Sequence, residues 1–321
     1  MDNQATVYDL LIIGSGPAGL TASIYASRYR LKHLVLGSQL GGAVSWAAEI
    51  ENYPGFKKIS GLELTQKIAD HVQSLGAEIE NQEVVSLTKN KDFFQIKTAN
   101  NQIFMAKTVI FASGTQRRKL NIPGEKEYLG KGVSYCTTCD GAFFKEGKVA
   151  IIGGSNAAAM GASHLAEFAN QVYLIYRKEA LRADPIWTQR VQNDPKIKII
   201  YQTNLVEILG DGNKVTGVKL DKVYENQDQL ILDGVFIEIG GVPGTDLVGS
   251  IGVKLDEKGF IHVEADMRTN IDGIWAAGDV ANASGEFQQI ITAAAEGALA
   301  ANSVYKYLSK TKGGVVNEKQ H

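Results

Sequence analysis

Tyr8-Asp9-Leu10-Leu11-Ile12-Ile13, followed at once by Gly14-Ser15-Gly16-Pro17-Ala18-Gly19, is the stretch that decides the fold class. Residues 8–13 read as a buried strand, and the run from Pro17 to Tyr29 is compatible with a helix. The glycines therefore fall in the strand–turn–helix context of a dinucleotide fingerprint. There Gly14 permits the tight turn, Gly16 lets the backbone approach a pyrophosphate, and Gly19 lets helix and strand pack closely. The amino end of the helix favours the negative charge. An αβ turn with no ligand is the bland alternative. One part of the usual pattern is missing: about 20 residues on, where an acidic side chain would hold a ribose, the chain reads Val35-Leu36-Gly37-Ser38.

The pattern returns at Lys148-Val149-Ala150-Ile151-Ile152, followed by Gly153-Gly154-Ser155-Asn156-Ala157-Ala158. Here Ser155 occupies the second key glycine position, where a side chain crowds the path of a pyrophosphate but can also donate a hydrogen bond. The next strand, residues 172–175, ends in Tyr176-Arg177-Lys178, with Arg182 nearby. Cations at that point fit the 2′-phosphate of NADP better than the bare hydroxyl of NAD; the alternative is a solvated basic loop. A third feature is Ile274-Trp275-Ala276-Ala277-Gly278-Asp279-Val280, a strand ending in Gly-Asp ahead of a helix expected over 289–308. An aspartate there can take a ribityl hydroxyl of a flavin.

Composition sets the frame. With 321 residues the chain accommodates two domains, each with its own core. A hydrophobic content of 44%, a charged content of 21% and a formal charge of −2 describe an ordinary globular protein with no electrostatic case for nucleic acid or an anionic membrane. No apolar run reaches transmembrane length, and no basic region precedes Leu10-Leu11-Ile12-Ile13, which rules against a signal peptide. A cytoplasmic location is expected.

The two cysteines of the chain sit together as Cys136-Thr137-Thr138-Cys139, directly followed by Asp140. Structural zinc needs about four ligands and would have to recruit scattered histidines or a second subunit. An inert buried pair is also open, but the polar, glycine-flanked stretch 135–141 resembles neither a core strand nor a core helix. A redox dithiol fits better: such a pair closes and reopens a small disulfide by exchange. Asp140 is placed either to move a proton to or from a departing thiolate or to cap a helix.

With these residues in view, the chain closely resembles the low-molecular-weight, flavin-dependent thioredoxin reductases from Tyr8 to about Leu308. The family's flavin motif is similar to Gly14–Gly19, and its loop over the flavin to Gly41-Gly42 leading into Glu51-Asn52-Tyr53-Pro54-Gly55. Its Ala-Thr-Gly turn looks like Ala112-Ser113-Gly114, its redox motif like Cys136 to Gly141, and its Gly-Asp segment like Gly278-Asp279-Val280. The resemblance implies an α/β protein of two Rossmann-like nucleotide-binding domains of three-layer ββα type, the second inserted into the first. The FAD-binding domain would comprise 1–115 and 246–321; residues 118–244 would form an NADP-like domain carrying the dithiol. Asn52, Val85, Gln289 and Ile290 would join the flavin contacts. Gly153, Ser155, Asn156, Ala157, Arg177, Lys178 and Arg182 would serve NADP. Electrons would pass through FAD to the Cys136–Cys139 disulfide, with Cys139 facing the flavin. Cys136 would then attack the disulfide of a thioredoxin-like protein, with Asp140 as proton donor or acceptor. A homodimer and a swinging dithiol domain are implied in the same way.

Several residues depart from the family pattern: Ser155 for glycine, Met160-Gly161 for a pair of glutamates, Tyr176-Arg177-Lys178 for histidine and two arginines, and Gln288 for arginine before Gln289. They leave the electron donor open between NADPH and another reductant such as ferredoxin. A flavin-dependent dithiol oxidase and a flavin-bound redox sensor are further alternatives. The stretch 310–321 reads as a polar, mobile tail.

Overall fold

The structure, a computed structural model, describes residues 6–285 and 287–311. The chain divides into two compact units, one formed by residues up to Gln116 together with those from Pro243 onward, the other by Arg117–Val242. Each is a Rossmann-like domain, and the second is inserted into the first.

In the first unit Val7–Ile13 is the central strand, with Leu10, Leu11 and Ile12 fully buried. Its continuous apolar run suits a parallel sheet covered on both faces. His33–Leu36 and Ile103–Phe111 flank it in parallel, and Ile79–Glu80 lies beyond the former. Ile103–Phe111 forks. Its first half pairs antiparallel with Phe94–Thr98, which continues to Val84–Lys89, while its last residues pair in parallel with Ile274–Ala276. That fork adds the antiparallel layer to the parallel sheet. Helices Pro17–Arg28 and Ile290–Thr311 pack on each other, and glycine makes their approach possible: a Cβ at Gly297 would lie 2.1 Å from Ala18 O.

The second unit repeats the plan. Lys148–Ile152 is central to a five-stranded parallel sheet, with Gln171–Ile175 and Ile197–Ile200 on one side and Gly234–Ile237 and Val133–Ser134 on the other. Leu205–Gly210, Val215–Tyr224 and Gln227–Ile231 form a three-stranded antiparallel sheet. Helix Asn156–Ala166 follows the glycine turn and buries an alanine-rich face against Val149, Ile151 and Leu174.

The C-terminal helix runs further than its sequence predicts. Lys310 and Thr311 belong to the helix rather than to a tail, and the Thr311 hydroxyl donates back to Tyr307 O and Leu308 O; residues 312–321 lie outside the described residues. Among the described residues no helix is long and apolar enough to cross a membrane.

The turn at Gly14 should be the least tolerant point of the first unit. Gly14 has φ +117°, and a Cβ there would sit 2.1 Å from Ala112 O. Gly55 has φ +99° with nothing within 4 Å of such a Cβ. Thermal unfolding should show Gly14→Ala losing roughly 2 kcal/mol more than Gly55→Ala, because only the former adds a backbone collision to the unfavourable φ. Equal losses would mean that the turn yields.

Candidate active site

Three turns of the first unit meet where parallel strands end. Gly14 closes on Ala112, whose N–H donates to Ile13 O at 2.7 Å. The Gly278 turn leaves the neighbouring strand, and a Cβ on Gly278 would come within 2.9 Å of Ala18 Cβ. The carboxyl ends of strands on either side of a central strand are where such sheets bind ligands. Gly41, with φ +81°, donates its N–H to Ser15 O at 2.8 Å, which ties the Gly41-Gly42 loop to the first turn. A side chain on Gly16 would meet nothing closer than Gly41 O at 3.8 Å, so the floor of the crevice stays open to a ligand's backbone approach. Gly37 stands where an acidic residue was sought. A Cβ there would lie 2.4 Å from Ser15 Oγ, and the close fit explains the absence.

Of the other flavin candidates, Asn52 and Gln289 are brought together, Asn52 Nδ2 donating to Gln289 Oε1 at 3.0 Å. Ile290 opens the C-terminal helix, and Ser113 donates from Oγ to Gly244 O at 3.0 Å. Val85 lies exposed at a register shift of its strand. Val280 is fully buried beside the Gly-Asp turn.

Glu296 is a residue that motif reading missed. It is 6% exposed and accepts the Gly278 N–H at 2.7 Å and the Ser284 O–H, fixing the Gly-Asp turn from the helix behind it. Its only signal is a lone acid within Ala293-Ala294-Ala295-Glu296-Gly297-Ala298. Burial, and secondarily the Glu296 charge, pushes the Asp279 carboxyl up to about 6. Glu296 is likewise raised by burial.

In the second unit Gly153, at φ +150°, lies against Glu238 O, which a Cβ would approach to 2.2 Å. Ser155 precedes helix Asn156–Ala166 without a side-chain capping bond. Asn156 is committed elsewhere: it donates to Asp184 Oδ2 at 2.9 Å and accepts the Asp184 N–H at 2.7 Å. Ala157, Arg177, Lys178 and Arg182 are exposed, and Arg182 N–H donates to Gly154 O at 2.7 Å. The Tyr176 ring lies over Gly154, which has no room for a Cβ, and its buried hydroxyl has no hydrogen-bond partner among the described residues.

Cys136 and Cys139 form a disulfide with Cα atoms 5.3 Å apart. The stretch 135–141 is neither a core strand nor a core helix: residues 137–140 make a single helical turn, and Cys136, rather than Asp140, is its N-cap. Cys136 Sγ accepts the Cys139 N–H at 3.1 Å, and Ser134 Oγ accepts the Cys136 N–H at 2.9 Å. Asp140 ends this turn and precedes the 3-10 turn Gly141–Phe144, making no capping hydrogen bond through its side chain. Cys136 is half-buried and Cys139 exposed. Gly161, standing where the family has an acid, receives Thr137: a Cβ there would lie 3.0 Å from Thr137 Cγ2.

The family model described as pyridine nucleotide-disulphide oxidoreductase matches residues 8–297. The chain belongs to that family. A thioredoxin reductase of Listeria innocua is 40% identical over 314 residues, covering 97% of both chains. The crystal structure of Lactococcus lactis thioredoxin reductase superposes with a TM-score of 0.90 at 40% identity, covering 94% of this chain and 99% of that one. A ferredoxin-flavin thioredoxin reductase from Clostridium acetobutylicum gives a TM-score of 0.54 at 34% identity, covering 96% and 100%. Fold, dithiol and relatives together make this chain a flavoprotein disulfide oxidoreductase of the thioredoxin reductase type.

The first-unit crevice fits FAD on its own geometry, with open glycines at the first helix start and a half-buried carboxyl at the Gly-Asp turn. A flavin hydroxyl donating to Asp279 favours the ionised carboxylate. Flavin affinity should therefore weaken as pH falls through about 6, where Asp279 takes up its proton. Asp279→Asn should bind flavin more weakly at neutral pH and lose that dependence. Flavin retained on ultrafiltration across the pH range measures both, and an unchanged pH profile in the variant would transfer the titration to another group.

Proposed function

We propose that the chain reduces the disulfide of a thioredoxin-like protein with electrons from NADPH, the first unit holding FAD and the second carrying nucleotide site and dithiol. The observation that carries this reading is Cys136 Sγ seated over the Cys139 N–H in an accessible disulfide turn. FAD, when bound, supplies the two-electron step between donor and dithiol.

Once the disulfide is open, the Cys139 N–H stabilises negative charge on Cys136, which favours its thiolate as the nucleophile. That thiolate attacks one sulfur of the partner's disulfide and forms a mixed disulfide. Cys139 then attacks Cys136, the Cys136–Cys139 bond reforms, and the partner leaves as a dithiol. Asp140, its carboxyl unused for capping, takes the Cys139 proton and delivers it to the departing partner thiolate. Phe143, 82% exposed three residues beyond Asp140, gives a thioredoxin-like partner an apolar foothold beside the thiols.

For the donor, Arg177, Lys178 and Arg182 at the end of strand Gln171–Ile175 suit a 2′-phosphate, although lysine lacks arginine's bidentate geometry. The Ser155 hydroxyl makes no capping bond to its own helix, which supports a role as donor to a pyrophosphate. The Tyr176 ring over Gly154 favours a second reading, in which this turn is disused and ferredoxin is the donor. The enzyme works in the cytoplasm as a homodimer on this proposal.

Anaerobic mixing of the yellow protein with NADPH or NADH tests the donor. NADPH should bleach the flavin rapidly and NADH poorly. Failure of both, with dithionite still effective, would reject the nicotinamide donor in favour of the second reading. Cys136→Ser and Cys139→Ser should each lose turnover with thioredoxin disulfide while NADPH still reduces their flavin. Full turnover in either variant contradicts the exchange mechanism.

A further inference from the structure

The segment entering the dithiol is anchored by a buried carboxylate with no place in the exchange chemistry. Glu125 is 5% exposed and takes three donors: Leu120 N–H at 2.9 Å, Asn121 N–H at 2.6 Å and Tyr135 O–H at 2.6 Å. Asn121 sits at φ +57°, so the carboxylate secures a turn whose backbone is itself unfavourable. Burial, then the hydrogen bond to Glu125 and its charge, holds the Tyr135 phenol well above its ordinary range, and it remains a donor at every working pH.

Tyr135 immediately precedes Cys136. On the backbone side, Ser134, 5% exposed, accepts the Cys136 N–H at 2.9 Å and donates to Cys136 O at 3.3 Å. Asp140 N–H also reaches Cys136 O, at 3.2 Å. Ser134 and Asp140 thus clamp the Cys136 backbone, while the Tyr135 side chain fixes the chain direction just before it. While the disulfide is closed, the covalent bond itself holds Cys136. After it opens, these hydrogen bonds help to keep the sulfur where the Cys139 N–H can reach it.

We propose that Glu125, through the Tyr135 hydroxyl, is a positioning residue for the exchange thiol, keeping Cys136 Sγ over the Cys139 N–H when the disulfide is open. The proposal rests on the reading of Cys136 as the exchange thiol. It predicts a defect confined to that thiol's reactivity, since Tyr135→Phe leaves the Glu125 charge and its two backbone bonds in place.

The test uses the flavin-loaded Cys139→Ser chain, which has Cys136 as its one thiol and retains the backbone N–H at 139. Alkylation of Cys136 by iodoacetamide is followed against pH. Adding Tyr135→Phe should move the profile to higher pH and slow alkylation at neutral pH by about threefold to tenfold, the effect of one hydrogen bond. Glu125→Gln separates positioning from a through-space charge. Removing a negative charge alone would move the profile to lower pH, whereas loss of positioning moves it higher. An unchanged or lowered profile in Tyr135→Phe overturns the proposal, as does a lowered one in Glu125→Gln. A lower melting temperature with an unmoved profile likewise assigns Tyr135 a packing role only. Failure of the parent enzyme to reduce thioredoxin would reject the functional reading while leaving this thiol profile intact.

Discussion

The close approach of backbone to backbone at the end of a central strand is the constraint on which both halves of the molecule depend. It occurs twice, at Gly14 against Ala112 O and at Gly153 against Glu238 O, where a Cβ would sit 2.1 and 2.2 Å from the oxygen. Only glycine lets the chain leave each strand so tightly. The helix that follows then begins beside the neighbouring strand's end and leaves a crevice with free N–H groups at its edge. In the first unit the Gly-Asp turn at 278–279 and the Gly41 loop surround that crevice, each tied to it by close packing or a hydrogen bond.

Buried acids hold the mobile chemistry in place without taking part in it. Glu296 fixes the Gly-Asp turn from behind, and Glu125 anchors the chain entering the dithiol. Each has its oxygens occupied by N–H or O–H donors, which offsets the cost of burying a carboxylate. The redox turn is by contrast accessible: Cys139 is exposed, and Thr137 is its buried foot, resting on Gly161. An accessible disulfide on a fixed base suits exchange with another protein.

Much of the architecture was legible because its signals are local. The strands at 8–13 and 148–152 and the glycine turns after them emerge from apolar runs and spacing alone, with boundaries within a residue of those observed. The dithiol was legible as a pair, but its helical turn was not, since Thr137 and Thr138 carry little helix propensity and the turn is held by Cys136 as its cap. Glu296 and Glu125 escaped because their partners lie 18 and 10 residues away in sequence at Gly278 and Tyr135, a pairing that only the folded chain makes. The departure at Gly161 likewise acquires a physical reason only in three dimensions, where it makes room for Thr137. The tail was misjudged at its start because polarity alone does not mark where a helix ends, and helix Ile290–Thr311 continues through Lys310 and Thr311.

Flavin and dithiol together act as one electron store within a single chain. An anaerobic dithionite titration of the purified holoenzyme measures it most directly, by the reducing equivalents taken up per flavin before bleaching is complete. The wild-type chain should take up about twice as many as Cys136→Ser, because the disulfide holds a second electron pair. Equal uptake by the two would show that the Cys136–Cys139 disulfide does not exchange electrons with the flavin.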